Sequence, residues 1–257
     1  MIDPLLETIL KYNRANPVPF IEEVLLPFLD DLGLDYEIDK EYNVYVSNGN
    51  TADTFYIAHT DTCDRVSDPV FKDLSVENGF INLNSAHSCL GADDGAGVYI
   101  LLKLLEHNIE GRYLFTTGEE IGLIGMSYWI DDPYNVEQLQ GVERCVEFDR
   151  KGENEIIIEQ SGKRLADVEL SLELSDEFDS YGMALFPSTR GVYTDNILLD
   201  GIVPFVVNIS CGYVHQHTPR ETLNYVFLDN LLYAWMAMER YRLPVWEDYD
   251  LSYGLDY

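Results

Sequence analysis

Two glutamates stand side by side in "LFTTGEEIGLIG", residues 114–125. An apolar run ends just before Glu119 and Glu120, and a glycine-rich turn follows them. Like charges at the mouth of a buried strand repel each other and lose hydration. The arrangement is useful if the two carboxylates do different jobs. One binds a cation, and the other stays free as general base for water that the cation acidifies. A solvated polar turn is the simpler explanation of the pair taken alone.

Four further motifs carry the same kind of residue. In "AHTD", His59 and Asp61 are two apart at a strand end and share a face. A metal-binding histidine commonly gives its other N–H to a carboxylate, which Asp61 can supply. In "LGADDGAG", Asp93 and Asp94 open a helix. Capping explains one aspartate, and the following glycines would let backbone crowd a metal centre. Asp149 ends the strand "CVEFD", where a turn or N-cap role is the common alternative. In "HQHTPRE", His217 precedes Thr-Pro, which predicts an extended backbone that projects the ring; His215 competes for the role. Oxygen and nitrogen donors without thiolates suit Zn, Mn or Co, and two such cations about 3.5–4 Å apart clamp water for hydrolysis.

These residues need a frame. The 257-residue chain is 46% hydrophobic and 12% aromatic, enough for one large folded α/β unit. Helical spacing covers residues 3–14, 18–32, 93–108, 123–131 and 221–240, and favours a helix over 165–182. Strands are expected at 43–48, 54–61, 80–84, 112–117, 144–149, 155–160 and 202–210. Alternating helices and strands, several of them apolar throughout, predict a mostly parallel central sheet with helices on both faces, a three-layer α/β sandwich. Ligands bind beyond the carboxyl ends of such strands. His59, Asp61, Glu119, Glu120, Asp149 and His217 all fall there.

Bulk properties narrow the function. The formal net charge of -30 argues against nucleic acid or an anionic membrane as partner. Part of that charge suits holding metal cations. No apolar run approaches the roughly 20 residues of a membrane span, and the polar N-terminus does not read as a signal peptide, so a cytoplasmic location is expected. Cys63, Cys89, Cys145 and Cys211 form no CxxC pair, which favours reduced, mostly buried thiols over a thiolate zinc knot. The acidic tail "WEDYDLSYGLDY" (246–257) reads as a surface segment.

Taken in order, H-x-D, D-D-x-x-G, E-E-x-G-L-x-G, a strand-end Asp and H-T-P-x-E, the motifs resemble the co-catalytic di-zinc exopeptidases. That superfamily includes zinc aminopeptidases and carboxypeptidases, and the resemblance spans about residues 40–240. It implies that His59 and Asp149 hold one metal, Glu120 and His217 the other, and Asp93 bridges them. It implies Glu119 as general base, Asp61 as the group orienting His59, and a cis peptide at Asp93–Asp94. It implies zinc, with Mn or Co as alternatives, and a small peptide or N-terminal residue as substrate. "RGVYTDN" (190–196) resembles a pocket-lining segment, with Thr194 beside Asp195 and Asp195 placed to anchor a substrate ammonium; Tyr213 is a further lining residue. The stretch between Asp149 and His217 is too short for the lid domain of many relatives. One catalytic domain over 1–257 and an aminopeptidase-like activity are therefore expected. An amidohydrolase, deacylase or carboxypeptidase with the same centre is the alternative, and a non-catalytic binding protein on this scaffold is a third. Oligomeric state is left open by the sequence.

Overall fold

The computed structural model describes residues 2–49, 52–65 and 71–238. Its main sheet has eight strands: β1 (Tyr36–Ile38), β2 (Val44–Asn48), β3 (Thr54–His59), β6 (Gly111–Thr116), β7 (Arg144–Arg150), β8 (Glu155–Ile157), β11 (Phe186–Ser188) and β12 (Phe205–Ser210). They lie in the order β1-β2-β6-β3-β7-β12-β8-β11. The central strands β6, β3, β7 and β12 run parallel, whereas β2 and β8 run antiparallel to their central neighbours. A smaller sheet joins β4 (Leu74–Glu77), β5 (Phe80–Leu83), β13 (Tyr213–Val214) and β14 (Thr222–Asn224), and β9 (Glu159–Gln160) pairs with β10 (Lys163–Arg164).

Buried residues run the full length of β3, β7 and β12, because both faces of the parallel centre are covered. Their side chains alternate between two cores. Tyr56, Ala58, Val146 and Phe148 join the larger core with α1 (Pro4–Lys11), α4 (Ala92–Glu106), α7 (Val168–Ser180) and α8 (Tyr225–Ala237). Phe55, Ile57 and Cys145 join the second with α5 (Ile124–Ile130) and a 3-10 helix (Asp195–Leu199). The expected layers are therefore present, although the second face is covered by shorter elements. In α5, Trp129 stacks on Phe55 with centroids 5.5 Å apart, anchoring that thinner layer.

Several expected bounds shift for local reasons. The helix expected over 18–32 is α2 (Val18–Phe20), a π-helical stretch (Ile21–Leu25) and α3 (Leu26–Leu32), closed by Gly33 at φ 69°. The strand expected at 155–160 breaks at Ile158 into β8 and β9. The last helix begins at Tyr225 rather than 221, because Thr222–Asn224 pairs with β5 and the Asn224 side chain accepts from the Phe227 amide at 3.1 Å. Residues 239–240 and the acidic tail lie outside the described residues. Among the described residues no helix is long and apolar enough to cross a membrane.

Candidate metal centre

After β3 the chain crosses through α4 to β6 on one side, then reaches β7 on the other. The carboxyl end of β3 therefore opens onto a topological switch point, where such sheets bind ligands. His59 ends β3, Glu119 and Glu120 follow β6, Asp149 lies at the end of β7, and His217 sits between β13 and β14. Asp93 enters from the start of α4.

The aspartate pair divides its work. Asp94 accepts from the Gly97 amide at 2.9 Å and the His59 amide at 3.2 Å, so it caps the regular part of the helix. Asp93 and Asp94 are joined by a cis peptide, and neither has helical backbone angles. The glycines have a different role from the one expected: a Cβ at Gly97 would run into the Asp94 carboxylate, and one at Gly95 would lie 2.9 Å from Arg14 Nη2. They admit packing beneath the centre rather than backbone beside a metal. Glu221, from "HTPRE", accepts from the Gly91 and Asp93 amides at 2.9 and 3.1 Å and steadies the same segment.

Asp93 faces both histidines. Its Oδ1 lies 3.0 Å from His59 Nε2, and its Oδ2 lies 3.1 Å from His217 Nε2. Asp149 Oδ1 is 3.8 Å from His59 Nε2, and Glu120 Oε1 is 3.0 Å from His217 Nε2. Glu119 Oε2 stands 4.0 Å from His59 Nε2. Donor atoms of His59, Asp93 and Asp149 lie within 4.8 Å of one another, as do those of Cys63, Glu120 and His217. His215 is exposed and belongs to neither group. His217 has φ 61°, so a left-handed kink rather than an extended segment aims its ring.

Asp61 acts more broadly than expected. His59 Nδ1 lies 3.1 Å from the Asp61 backbone carbonyl and 3.5 Å from its Oδ1. The carboxylate also accepts the amides of Glu119 and Glu120, each at 3.2 Å, which pins the loop that carries both glutamates. That loop is bracketed by Gly118 at φ 69° and Gly122 at φ 111°, conformations that favour glycine.

Electrostatics make the centre unusual. Among the described residues, no Lys or Arg lies within ion-pair distance of Asp61, Asp93, Glu119, Glu120 or Asp149; only the histidines do. Burial, then Asp93 and Asp94, push the Asp149 carboxyl well above its usual range. Burial, with repulsion from Asp195, Asp93 and Glu120, raises Glu119 to about 7 despite His59. Asp93 and Glu120 raise His217 to about 11. Burial would lift Asp61, but His59 and the two amides outweigh it and hold the carboxyl low. Glu120 Oε1 is buried and makes no hydrogen bond. An acceptor left bare beside a histidine nitrogen, within an acidic nest, fits a cation. The donor set of carboxylates and imidazoles fits divalent zinc, manganese or cobalt.

Thr194 and Tyr213 line a small polar cleft with Asp93, Glu119, Asp149, Arg150, Lys151 and His217. Asp195 is fully buried, bonded to the Thr116 hydroxyl, and lies outside that cleft. Its other oxygen, Oδ1, is buried and makes no hydrogen bond. On the other side of the centre, Glu120 and Asp61 border a wider cleft of about 560 Å³ with Pro17, Val18, Tyr42, Ile121 and Ile124. The centre thus lies between a polar cleft and a largely apolar one.

Sequence reasoning missed the layer beneath. Asn208 accepts from the Asp149 amide at 3.0 Å and donates to Glu147 at 3.0 Å, while Thr194 donates to Glu147 at 2.5 Å. The Tyr213 hydroxyl donates to Asp149 Oδ1 at 2.9 Å. The signals were polar residues inside apolar strands: Glu147 two before Asp149 in "CVEFD", and Asn208 in "FVVNIS".

No protein-family model matches the sequence, and no curated protein does. Solved structures do match. An aminopeptidase PepT from Bacillus cereus aligns with TM-score 0.72 at 16% identity over 90% of this chain and 95% of its own. A tripeptidase from Staphylococcus aureus aligns with TM-score 0.71 at 14% identity over the same shares. An aminopeptidase from the archaeon Desulfurococcus kamchatkensis aligns with TM-score 0.66 at 15% identity, over 91% and 92%. At such identities the likeness is one of architecture: the chain has the fold shared by these aminopeptidases and this tripeptidase.

Proposed function

We propose that the chain is a metal-dependent exopeptidase, an aminopeptidase acting on small peptides with two divalent cations. Zinc is the resident metal in this reading, with manganese or cobalt able to substitute. The observation that carries it is the Asp93 carboxylate, whose two oxygens face His59 and His217 separately. His59 and Asp149 hold one cation, Glu120 and His217 the other, and Asp93 serves both. When bound, the cations supply Lewis acidity towards the peptide carbonyl and lower the pKa of water towards about 7. Glu119, with no Lys or Arg partner among the described residues, takes the proton from the attacking water and hands it to the leaving amine. Asp61 holds Glu119 in place through its amide. Thr194 and Tyr213 shape the polar cleft. The neighbours described as aminopeptidases and a tripeptidase support a peptide substrate.

The reading treats residues 1–257 as one catalytic domain without a lid insertion. It is supported by residues 150–216 contributing β8, β11 and β12 to the main sheet. A carboxypeptidase reading has one observation in its favour: Lys151 lines the polar cleft and suits a substrate carboxylate. A panel of free-amino, N-acetylated and C-amidated di- and tripeptides decides. Hydrolysis that needs a free amine and stops on chelation is expected. Hydrolysis that tolerates acetylation but needs a free carboxylate would replace the aminopeptidase reading, and no hydrolysis with any of the three metals would overturn both.

A further inference from the structure

The Glu120–His217 side contains one more donor. Cys63 lies two residues past Asp61, is exposed, and carries a free thiol. Its Sγ, a Glu120 carboxylate oxygen and a His217 ring nitrogen lie within 4.8 Å of one another. A tetrahedral zinc with such donors spaces its ligand atoms about 3–4 Å apart. The other thiols are buried, and two have hydrogen-bond acceptors of their own: Cys89 Sγ points to Asp64 and Cys211 Sγ to the Arg150 carbonyl.

A separate observation points to the same spot. The Glu120 side chain is 7% exposed, and its Oε1 makes no hydrogen bond although His217 Nε2 is 3.0 Å away. A carboxylate oxygen and an imidazole nitrogen that converge at this distance can share one cation, which displaces the ring proton. The loop bearing Cys63 is also held in place. Asp64 accepts from Lys72 Nζ and Ser88 Oγ, each at 2.5 Å, and from Thr62 Oγ1 at 2.9 Å, while the Thr62 amide reaches the Arg14 carbonyl at 3.1 Å. Both neighbours of Cys63 are thus tied to buried groups, which fixes the thiol on the rim of the centre.

We propose that Cys63 is a ligand of the cation held by Glu120 and His217. The inference rests on the two-metal reading above. Ligation forms a sulfur–metal bond and releases the thiol proton to solvent. The two positions then differ in kind: carboxylate and imidazole around His59, thiolate with carboxylate and imidazole around His217. The thiolate position favours zinc and cadmium over manganese, and the other discriminates less.

The test is cobalt(II) titration of chelator-stripped, full-length protein, wild type and Cys63→Ser, followed by absorbance and bound-metal count. About two equivalents are expected in the wild type, one of them accompanied by a near-ultraviolet thiolate-to-cobalt band. Cys63→Ser loses that band, keeps the visible ligand-field bands of the first position, and binds the other equivalent more weakly. The weakening should be no smaller than the about 10–100-fold cost of losing an outer partner. As a second readout, zinc slows alkylation of Cys63 by iodoacetamide in the wild type. Two bound cobalt ions with no thiolate band, or a band that survives in Cys63→Ser, overturns the proposal and leaves the metal reading intact. No cobalt bound by either protein overturns both.

Discussion

Glu155 and Asp149 are six positions apart, on successive strands, and both are buried; their side chains are 8% and 5% exposed. The chain treats them in opposite ways. Arg150 Nε and Nη2 reach one oxygen of Glu155 at 2.9 and 2.6 Å, and Arg190 Nε and Ser188 Oγ reach the other at 2.9 and 2.6 Å. Burial would raise the Glu155 carboxyl, but Ser188 and the arginines more than offset it and hold it below its usual range. Asp149 has the Tyr213 hydroxyl and a histidine at 3.8 Å, and its carboxyl is pushed up. The buried Asp64–Lys72 pair repeats the Glu155 solution. At Glu155 and Asp64 this acidic chain supplies the buried carboxylate with its own cation. Around Asp93, Asp149, Glu119 and Glu120 no Lys or Arg among the described residues does so, and the lack of such a partner is a property of the site.

The largest effect that sharpens this contrast is catalytic. Glu119→Gln keeps the fold and metal content but loses about 10²–10⁴-fold in turnover, measured with a free-amino dipeptide. Full activity in that variant would remove Glu119 from the mechanism. Next comes a pair of stability changes with opposite signs. Glu155→Gln destabilises the metal-free protein by about 1.5–3 kcal/mol, because its arginines lose their partner. Asp149→Asn raises the metal-free melting temperature, since it removes repulsion, and abolishes the further rise on adding zinc. The same sign for both would break the comparison. Tyr213→Phe, which removes one hydrogen bond to Asp149, weakens metal binding by about 10–100-fold in a chelator competition.

The smallest effect is in pH dependence. Burial is the main reason that Glu119 and Glu221 rise to about 7 from the usual 4.5. The folded state then holds protons that the unfolded chain releases. The stability this gives is complete below about 4.5 and is lost as pH rises through about 7. Metal-free protein should therefore melt lower at pH 7.5 than at pH 5, at about 2–4 °C per kcal/mol, and saturating zinc should flatten the slope. A metal-free melting temperature that rises over this window would contradict the charge assignment.

The sheet was legible because β3, β7 and β12 are apolar enough to declare burial on both faces. The site was legible because polar residues interrupt those runs at their carboxyl ends. What stayed hidden depends on contacts distant in sequence. Nothing local reveals that Thr222–Asn224 pairs with β5, or that His217 needs a left-handed backbone. Nor does the motif around Asp195 reveal that its carboxylate is fully buried and bonded to the Thr116 hydroxyl. Cys63 was passed over because thiols were sought as CxxC pairs, whereas it meets Glu120 and His217 only after folding.

The most direct test of the central claim is the metal content of wild type and Asp93→Asn, purified without chelator and measured by mass spectrometry. The account predicts about two divalent transition-metal ions per wild-type chain and loss of both in Asp93→Asn, because one carboxylate serves both positions. A wild-type chain that binds no such metal even when it is offered, or an Asp93→Asn chain with unchanged content, would contradict it.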